Sequence, residues 1–245
     1  MCADSVASFM SVEYENLNFE RLGHASVRIE TSVASETQRA DGEAVDDDGT
    51  VVYVDPWSEV LDGEPRDGDL VFVTHDDFDH YDEDAIEAVG ADDATVAAYE
   101  GIDTSGLRFE VVELPHDGSA TVGGIDVRTV PAHNDPEGEH VDDDGNPFHA
   151  EGEVIGLHLT FDGTTVFYPS DTDFLSHHES IRAEVLLPPI GGHYTMDRHE
   201  AAEFAESVDP KLVLPVHYDT FEPIETDAEA FAEELEAEGI RVELF

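Results

Sequence analysis

Short apolar runs, rich in β-branched and aromatic residues, recur along this chain and alternate with polar turns. Runs of this length and composition predict β-strands. The runs at 156–161 and 164–168 are joined by Asp162 and Gly163, a pair that favours a tight hairpin. The complete set of predicted strands is 18–21, 24–31, 50–54, 70–74, 95–98, 108–112, 125–130, 156–161, 164–168, 185–187, 212–216 and 241–244.

Helical patterns are fewer and lie mainly in the second half of the chain. Residues 83–89 predict a short helix. Asp197 and Glu200 form a capping pattern before a segment with its apolar residues on one face, and Thr226 and Glu229 do the same before the last helix. Strands that alternate with helices in this way predict an α/β fold.

Three segments interrupt the pattern within the single domain predicted for 1–245. Residues 1–16 show no periodicity, so we expect a frayed leader or an added strand. Residues 34–49 are acidic and predict an exposed hairpin tip. Residues 135–153 directly follow His133 and lack periodicity over a length typical of functional loops, so we expect a lid or rim there.

The charge is the unusual feature of the composition. The 245 residues include 60 Asp and Glu but only 10 Lys and Arg, for a formal net charge of -50, whereas the hydrophobic fraction of 40% is that of a globular protein. At about 1 M salt the Debye length is about 3 Å, so most of this self-repulsion is screened. The composition therefore predicts a protein from an extreme halophile. The rival interpretation, an acidic protein that binds a basic partner, predicts a local cluster, but the excess is spread over the whole chain.

Cysteine content and hydropathy bear on the cellular compartment. Cys2 is the only cysteine, so no intramolecular disulfide is possible. No apolar run approaches 18 residues, and there is no charged-then-apolar leader. We therefore expect a soluble, cytoplasmic protein with no membrane partner.

The first candidate chemistry follows the strand predicted at 70–74. His75, Asp77, Asp79 and His80 fall within six positions of its end. Imidazole and carboxylate together are ligands for Zn, Mn, Fe and similar ions. The alternative is an acidic surface loop with two histidines, because carboxylates alone mean little in so acidic a chain.

Three later candidates each follow a predicted strand. His133 comes after 125–130, Asp171 after 164–168 and His217 after 212–216. Strand ends at one edge of a sandwich converge in space, so these side chains can meet the first group. Each histidine alone fits a structural role equally well; the ordered set favours a metal site.

At this point the chain resembles the metallo-β-lactamase superfamily, whose first motif is usually His-x-His-x-Asp-His, followed by a lone His, a lone Asp and a last His. The order and spacing match, except that Asp77 stands in place of the second His. Leu22-Gly-His24, Val54-Asp55-Pro56 and the blocks 187–196 and 215–221 are similar to the small metal-dependent hydrolases near the ascorbate-6-phosphate lactonases. These matches cover most of 17–245.

The resemblance implies a four-layer αβ/βα sandwich with two mixed sheets inside and helices outside. It also implies two divalent metal ions, with Zn expected first and Mn or Fe as alternatives. One ion would be held by His75, Asp77 and His133. The other would be held by Asp79, His80 and His217. Asp171 would bridge the two ions.

Further polar residues are assigned by their neighbours in the sequence. Asp79, His24 and His193 are the candidate catalytic residues. His24 either approaches the site or caps a strand, and His193 either donates to the substrate or lies in a turn that packs Tyr194. For the remaining histidines we expect solvated or structural roles, or find no basis for an assignment: His116, His140, His149, His158, His177, His178 and His199.

The leading functional hypothesis is a metal-dependent hydrolase that directs a metal-bound hydroxide at a small ester, lactone or phosphorylated metabolite. A nuclease of the same superfamily is the second, but it needs a basic phosphate-binding track that ten scattered basic residues do not make. A non-catalytic metal-binding protein is the third, motivated by Asp77. The expected partner is a small molecule, with no nucleic acid.

We predict that folding requires salt, because unscreened carboxylates repel one another. The melting temperature should rise steeply between about 0.1 and 3 M KCl, where the Debye length falls from about 10 Å to below 3 Å. Circular dichroism melts at several concentrations measure this dependence. A melting temperature that is constant over the range would exclude the halophilic surface.

Overall fold

Two mixed β-sheets form the centre of the computed structural model, which describes residues 11–32 and 49–245. The predicted hairpin tip at 34–49 lies outside the described residues except for its last position. The leader predicted at 1–16 is described only from residue 11, where a strand begins.

The first sheet has seven strands in sequential order. Its first four strands pair antiparallel, and the pairings from β4 onward are parallel. Its elements, with the helix that links β5 to β6, are β1 Ser11–Tyr14, β2 Leu17–Gly23, β3 Ser26–Thr31, β4 Val51–Val54, β5 Gly68–Val73, α1 Glu83–Val89, β6 Gly90–Tyr99 and β7 Glu110–Leu114.

The second sheet has six strands in the order β13-β12-β11-β10-β9-β8. Strands β8 to β11 pair antiparallel, and β11, β12 and β13 pair parallel. Its elements, with the helices that follow β12 and β13, are β8 Gly118–Val122, β9 Ile125–Ala132, β10 Val154–Phe161, β11 Thr164–Tyr168, β12 Val185–Leu186, α2 Arg198–Val208, β13 Leu212–Val213 and α3 Ala228–Ala237.

Apolar side chains fill two layers. The larger cluster contains residues of both sheets, such as Phe72 on β5 and Leu157 on β10, and so fills the space between them. The smaller cluster joins the second sheet to α2 and α3, where Phe204 and Phe231 are fully buried. The predicted α/β sandwich with two mixed sheets is therefore confirmed. In the described part of the chain, no helix is long and apolar enough to cross a membrane.

The local predictions hold where the backbone chemistry is specific. Asp162 and Gly163 both have positive φ, 47° and 99°, and close a two-residue hairpin that pairs Phe161 with Thr164. Asp197 caps α2 as predicted, because its side chain accepts hydrogen bonds from the amides of His199 and Glu200. The cap predicted at Thr226 is wrong by one residue, because the Asp227 side chain accepts from the Ala230 amide and begins α3.

Two other predictions differ from the structure. The strand predicted at 241–244 is reduced to a single bridge between Val242 and Val213, since β13 is only two residues long and offers little edge to pair with. Strand β8 is absent from the prediction because its sequence, Gly-Ser-Ala-Thr-Val, carries few apolar residues.

Candidate metal centre

Strand ends from both sheets deliver histidine and carboxylate side chains to one edge of the sandwich. His75 and Asp77 follow β5, Asp171 follows β11 and His217 follows β13. Three overlapping groups have ligand atoms that all lie within 4.8 Å of one another: His24, Asp79, His80 and His217; His75, His80 and Asp171; and His75, Asp77 and His149.

The Asp171 carboxylate lies at the centre of these groups. Its Oδ1 is 3.4 Å from His80 Nε2, and its Oδ2 is 3.1 Å from His217 Nε2 and 3.5 Å from His149 Nε2. Asp171 is thus close to rings of every one of these groups, so its carboxylate could be shared if two ions were bound there.

Asp77 lies at the outer side of the site, and its side chain is 52% exposed. Its Oδ2 is 3.7 Å from His75 Nε2 and 3.3 Å from His149 Nε2. The carboxylate that replaces the usual histidine therefore points at the same two rings with which it would share an ion.

Two ring nitrogens provide the test of whether a cation fits. His75 Nε2 and His80 Nε2 are buried and have no hydrogen-bond partner among the described residues. Their other nitrogens are engaged, His75 Nδ1 by Thr74 Oγ1 at 3.0 Å and His80 Nδ1 by Asp55 Oδ2 at 2.8 Å. An imidazole held by Nδ1 presents Nε2 to a metal, and leaving Nε2 unpaired costs about 1–3 kcal/mol. The side chains therefore fit a divalent ion.

Asp55 supports the site from beneath. Its fully buried carboxylate accepts hydrogen bonds from the Thr74 amide at 2.9 Å and the Thr74 hydroxyl at 2.7 Å. It also faces His80 Nδ1 and accepts from the Tyr168 hydroxyl at 2.9 Å. Because Tyr168 belongs to β11 and Thr74 follows β5, this one side chain connects the two sheets and orients a site histidine. In the sequence, only the Val54-Asp55-Pro56 turn marks this residue.

The electric field of the site favours positive charge between the rings. Burial alone would raise the pKa of Asp171, but His217 and His80 outweigh burial and hold that pKa well below its ordinary range. Burial alone would lower the pKa of His80, but Asp171 and Asp55 raise that pKa well above its ordinary value. The same field that retains a proton here would favour a cation in its place.

His24 is fully inside the site rather than at a strand cap. Its Nε2 is 2.9 Å from Asp79 Oδ2, its Nδ1 is 3.1 Å from Thr220 Oγ1, and its ring lies 4.1 Å from that of His217. Burial lowers the pKa of His24 to about 4, so the ring is neutral at neutral pH. A neutral His24 donates from Nε2 to the Asp79 carboxylate.

Four of the ten non-glycine residues with positive φ in the described part of the chain lie at this site. His24, Asp55, Ser170 and His217 have φ values of 51°, 45°, 62° and 53°, in a region that residues other than glycine rarely adopt. Such conformations cost about 1–3 kcal/mol each and cluster at functional sites. The chain therefore gives up stability to aim these side chains.

The structure does not bring His133 into these groups. The His133 side chain is half-buried, with Nδ1 2.9 Å from the Asn134 carbonyl oxygen and its ring facing His177. His149 lies beside Asp77 and Asp171 in its place. The expectation that His149 is solvated is wrong, since that side chain is buried.

Asn134 explains how a histidine in a long loop reaches the site. The backbone amide of Asn134 donates to the His149 carbonyl at 2.9 Å, and the side-chain Oδ1 of Asn134 accepts from the backbone amide of His149 at 2.8 Å. Its Nδ2 donates to Asp173 Oδ1 and to the Tyr194 carbonyl, both at 2.9 Å. These contacts fix both ends of the 135–153 loop, but nothing in the sequence around His149 marks it as a strand-end residue.

His140 also lies in this loop and is not solvated. Its Nδ1 is 2.7 Å from Asp173 Oδ1, and these two residues form a further ligand-like group with Glu200. The Asp173 carboxylate is already engaged by Asn134, by His140 and by the Asp135 amide at 2.8 Å. This group therefore ties the loop to the body of the protein.

The structure places His193 away from the site, exposed and packed against Phe148. The neighbouring Tyr194 instead lines the pocket above the metal-binding side chains. That pocket holds about 220 Å³ and is lined by Asp77, Phe78, Asp79, Phe148, His149, Asp171, Tyr194, His217 and Phe221.

The fold and the site together define a class, the two-sheet sandwiches that hold metal ions at one edge between strand-end loops. A family model described as a beta-lactamase superfamily domain matches residues 44–217. A UPF0173 metal-dependent hydrolase of Methanosphaerula palustris is 36% identical over 194 residues, covering 76% of this chain and 84% of the relative. Another, from Methanopyrus kandleri, is 35% identical over 238 residues, covering 91% and 93%. The chain therefore belongs to the UPF0173 metal-dependent hydrolases, a family of enzymes within the metallo-β-lactamase superfamily.

Solved structures agree with this assignment of the fold. Igni18, a metallo hydrolase from the hyperthermophilic archaeon Ignicoccus hospitalis, has a TM-score of 0.69 at 23% identity and covers 94% of both chains. CmlA, a diiron β-hydroxylase from Streptomyces venezuelae, has a TM-score of 0.62 at 15% identity over 96% of this chain and 53% of CmlA. At these identities the likeness shows the fold alone.

We predict that His149, not His133, is needed to bind metal. The variant His149→Ala should weaken metal affinity at least about tenfold, since even residues behind the ligands contribute about 10–100-fold. Competition with a chromogenic chelator measures the affinity, and elemental analysis measures the content. The matched control His133→Ala should bind as the parent does. The reverse result, loss in His133→Ala alone, would restore His133 as the ligand.

Proposed function

We propose that this chain is a hydrolase of small esters or lactones that works with two divalent metal ions. The observation that carries the proposal is the Asp171 carboxylate, whose oxygens lie within 3.5 Å of His149 on one side of the site and of His80 and His217 on the other. The unpaired Nε2 atoms of His75 and His80 support it.

The residues divide into two sets around Asp171. His75, Asp77 and His149 would hold one ion, and Asp79, His80 and His217 the other. Ions bound there would lower the pKa of water toward neutrality and polarise the substrate carbonyl.

The protein supplies the remaining parts. Asp55 and Thr74 hold the His80 and His75 rings so that each Nε2 faces the site. Neutral His24 donates to Asp79, which fixes the carboxylate and leaves its other oxygen free to bind an ion or accept a proton. The 135–153 loop closes one side of the site through His149 and Phe148, so it acts as a rim.

Metal identity follows from the ligand types. Asp77 makes the first site richer in oxygen than the usual histidine would, which suits Mn or Fe, whereas intrinsic affinity still favours Zn. We propose Zn or Mn as the working ions. The proposed location is a cytoplasm rich in salt, where a chain of net charge -50 is screened.

A nuclease is the weaker candidate. The pocket lining contains aromatic residues, carboxylates and histidines, with no Lys or Arg among the described residues that form it. Nucleic-acid binding depends on such cations, and high salt weakens it further. A purely metal-binding role would leave the pocket above Asp171 without a purpose.

The proposal predicts that Asp171→Ala abolishes hydrolysis. The change removes the shared carboxylate, so at least one metal per chain should be lost, while the fold survives in saturating salt. Ester hydrolysis, elemental analysis and circular dichroism are measured together on the parent and the variant. The exposed carboxylate of Asp126 on β9 gives the control Asp126→Ala, which should retain metal and activity. Two metals per chain in Asp171→Ala would contradict the bridging role.

A second prediction concerns metal preference. Replacing the carboxylate by imidazole in Asp77→His should shift the preference toward Zn by about tenfold or more, because nitrogen ligands suit Zn better than Mn. Affinity and activity are measured after reconstitution of each protein with Zn or Mn. The variant Asp77→Ala serves as the reference, and if it binds both ions as tightly as the parent, Asp77 is not a ligand.

A further inference from the structure

One wall of the pocket is aromatic and unusually exposed. Phe78 is the single exposed large hydrophobic side chain in the described residues, at 69% exposure, and it lies between Asp77 and Asp79. Its ring is 5.8 Å from that of Trp57, which in turn is 6.2 Å from Phe221. Trp57 itself is buried, at 8% exposure, so Phe78 and Phe221 are the two members of this row that line the pocket. An exposed aromatic side chain at the mouth of a pocket indicates a binding surface.

A second aromatic pair also lines the pocket. Phe148, from the rim loop, packs edge-on against Tyr194 with ring centroids 4.9 Å apart. Both residues line the pocket with Phe78 and Phe221. The metal-binding side chains therefore form the floor, and flat apolar surfaces form the sides.

Positive charge is missing from these walls. No Lys or Arg belongs to the lining among the described residues. Arg21 is the basic residue closest in sequence to His24, but its guanidinium donates to the carbonyls of Tyr218 at 2.8 Å and His24 at 3.2 Å and stacks on the Tyr218 ring. It is therefore not available to bind an anionic group.

Negative charge is abundant at the same place. The carboxylates of Asp77, Asp79 and Asp171 offset most of the charge of two divalent ions, and Asp77 faces the opening. An anionic group on the substrate, away from the reacting carbonyl, would lose water without gaining a cation, which is costly.

We infer that the pocket selects uncharged carboxylic esters or lactones with an apolar group packed on Phe78 and Phe221, and that it disfavours phosphorylated or carboxylated ones. This inference rests on the proposed function. In the reaction, water adds to the acyl carbon and the bond from that carbon to the alkoxy oxygen breaks. The acyl carbon keeps the hydroxyl group, and the leaving oxygen takes the proton, so the products are a carboxylic acid and an alcohol.

The test compares two esters of equal chain length and equal leaving group in about 3 M KCl, where the fold is screened. The first is 4-nitrophenyl hexanoate, and the second is the 4-nitrophenyl monoester of adipic acid, which ends in a carboxylate. We expect kcat/KM to be at least about tenfold higher for the hexanoate. Equal values, or faster hydrolysis of the adipate, would overturn the inference.

Variants at Phe78 tie the preference to this wall, and exposure of the side chain makes misfolding a minor concern. Phe78→Leu preserves an apolar contact, so the ratio of kcat/KM for the hexanoate to kcat/KM for the adipate should stay within about threefold of the parent's ratio. Phe78→Lys removes the apolar ring from the mouth, so the hexanoate should lose its advantage and the ratio should approach one. A ratio that is the same in Phe78→Lys as in the parent would show that this wall does not select the substrate.

A binding measurement separates failure of the inference from failure of the proposed function. Trp57 is the only tryptophan and contacts both Phe78 and Phe221, so its fluorescence reports occupation of the pocket. The unreactive N-phenylhexanamide should change the emission at concentrations at least about tenfold lower than its adipic acid counterpart. If this preference appears but no ester is hydrolysed with Zn or Mn, the pocket assignment stands and the proposed reaction fails. If the anionic amide binds as well, the inference fails whatever the activity.

Discussion

The buried carboxylate of Asp55 is the interaction on which the site depends. It has no contact with solvent, yet it accepts from the Thr74 amide and hydroxyl and from Tyr168, and it faces His80 Nδ1. A buried carboxylate without such partners would be strongly destabilising. Because its partners come from both sheets, the position of one sheet relative to the other and the orientation of the His80 ring are set by the same group. The Thr74 hydroxyl extends this network to Ser170, beside Asp171, at 2.7 Å.

Charge is distributed very differently on the surface and in the pocket. The surface carries a large excess of carboxylates that only salt can screen. In the pocket, carboxylates are matched against histidines, and aromatic rings replace charged groups on the walls. The affinity of a substrate that binds through aromatic rings changes little in molar salt, whereas the affinity of a substrate that binds through ion pairs falls. The chemistry of the pocket is therefore compatible with the high salt that the composition predicts.

Sequence patterns identified most of the site because strand ends are visible in a sequence. His75, Asp77, Asp79 and His80 follow a continuous apolar run, and Asp171 and His217 follow two others, so their convergence could be expected from the fold alone. His133 satisfied the same rule but turns toward Asn134 and His177. His149 does not follow a strand and lies within a polar loop. It reaches the site because its backbone amide donates to Asn134 Oδ1 and its carbonyl accepts from the Asn134 backbone amide.

The sequence by itself determined the α/β class, the Asp197 helix cap and most of the strand-end residues, because these depend on local periodicity and on short-range backbone chemistry, whereas the two mixed sheets followed from the family resemblance. Tertiary structure decided which loop histidine faces Asp77, that Asp55 joins the sheets, and that His24 bonds to Asp79 while His193 stays outside. It also decided the apolar character of the pocket, since Phe78, Phe148, Tyr194 and Phe221 are distant along the chain. Contacts of this kind depend on how loops from different strands pack, and no local pattern encodes that packing.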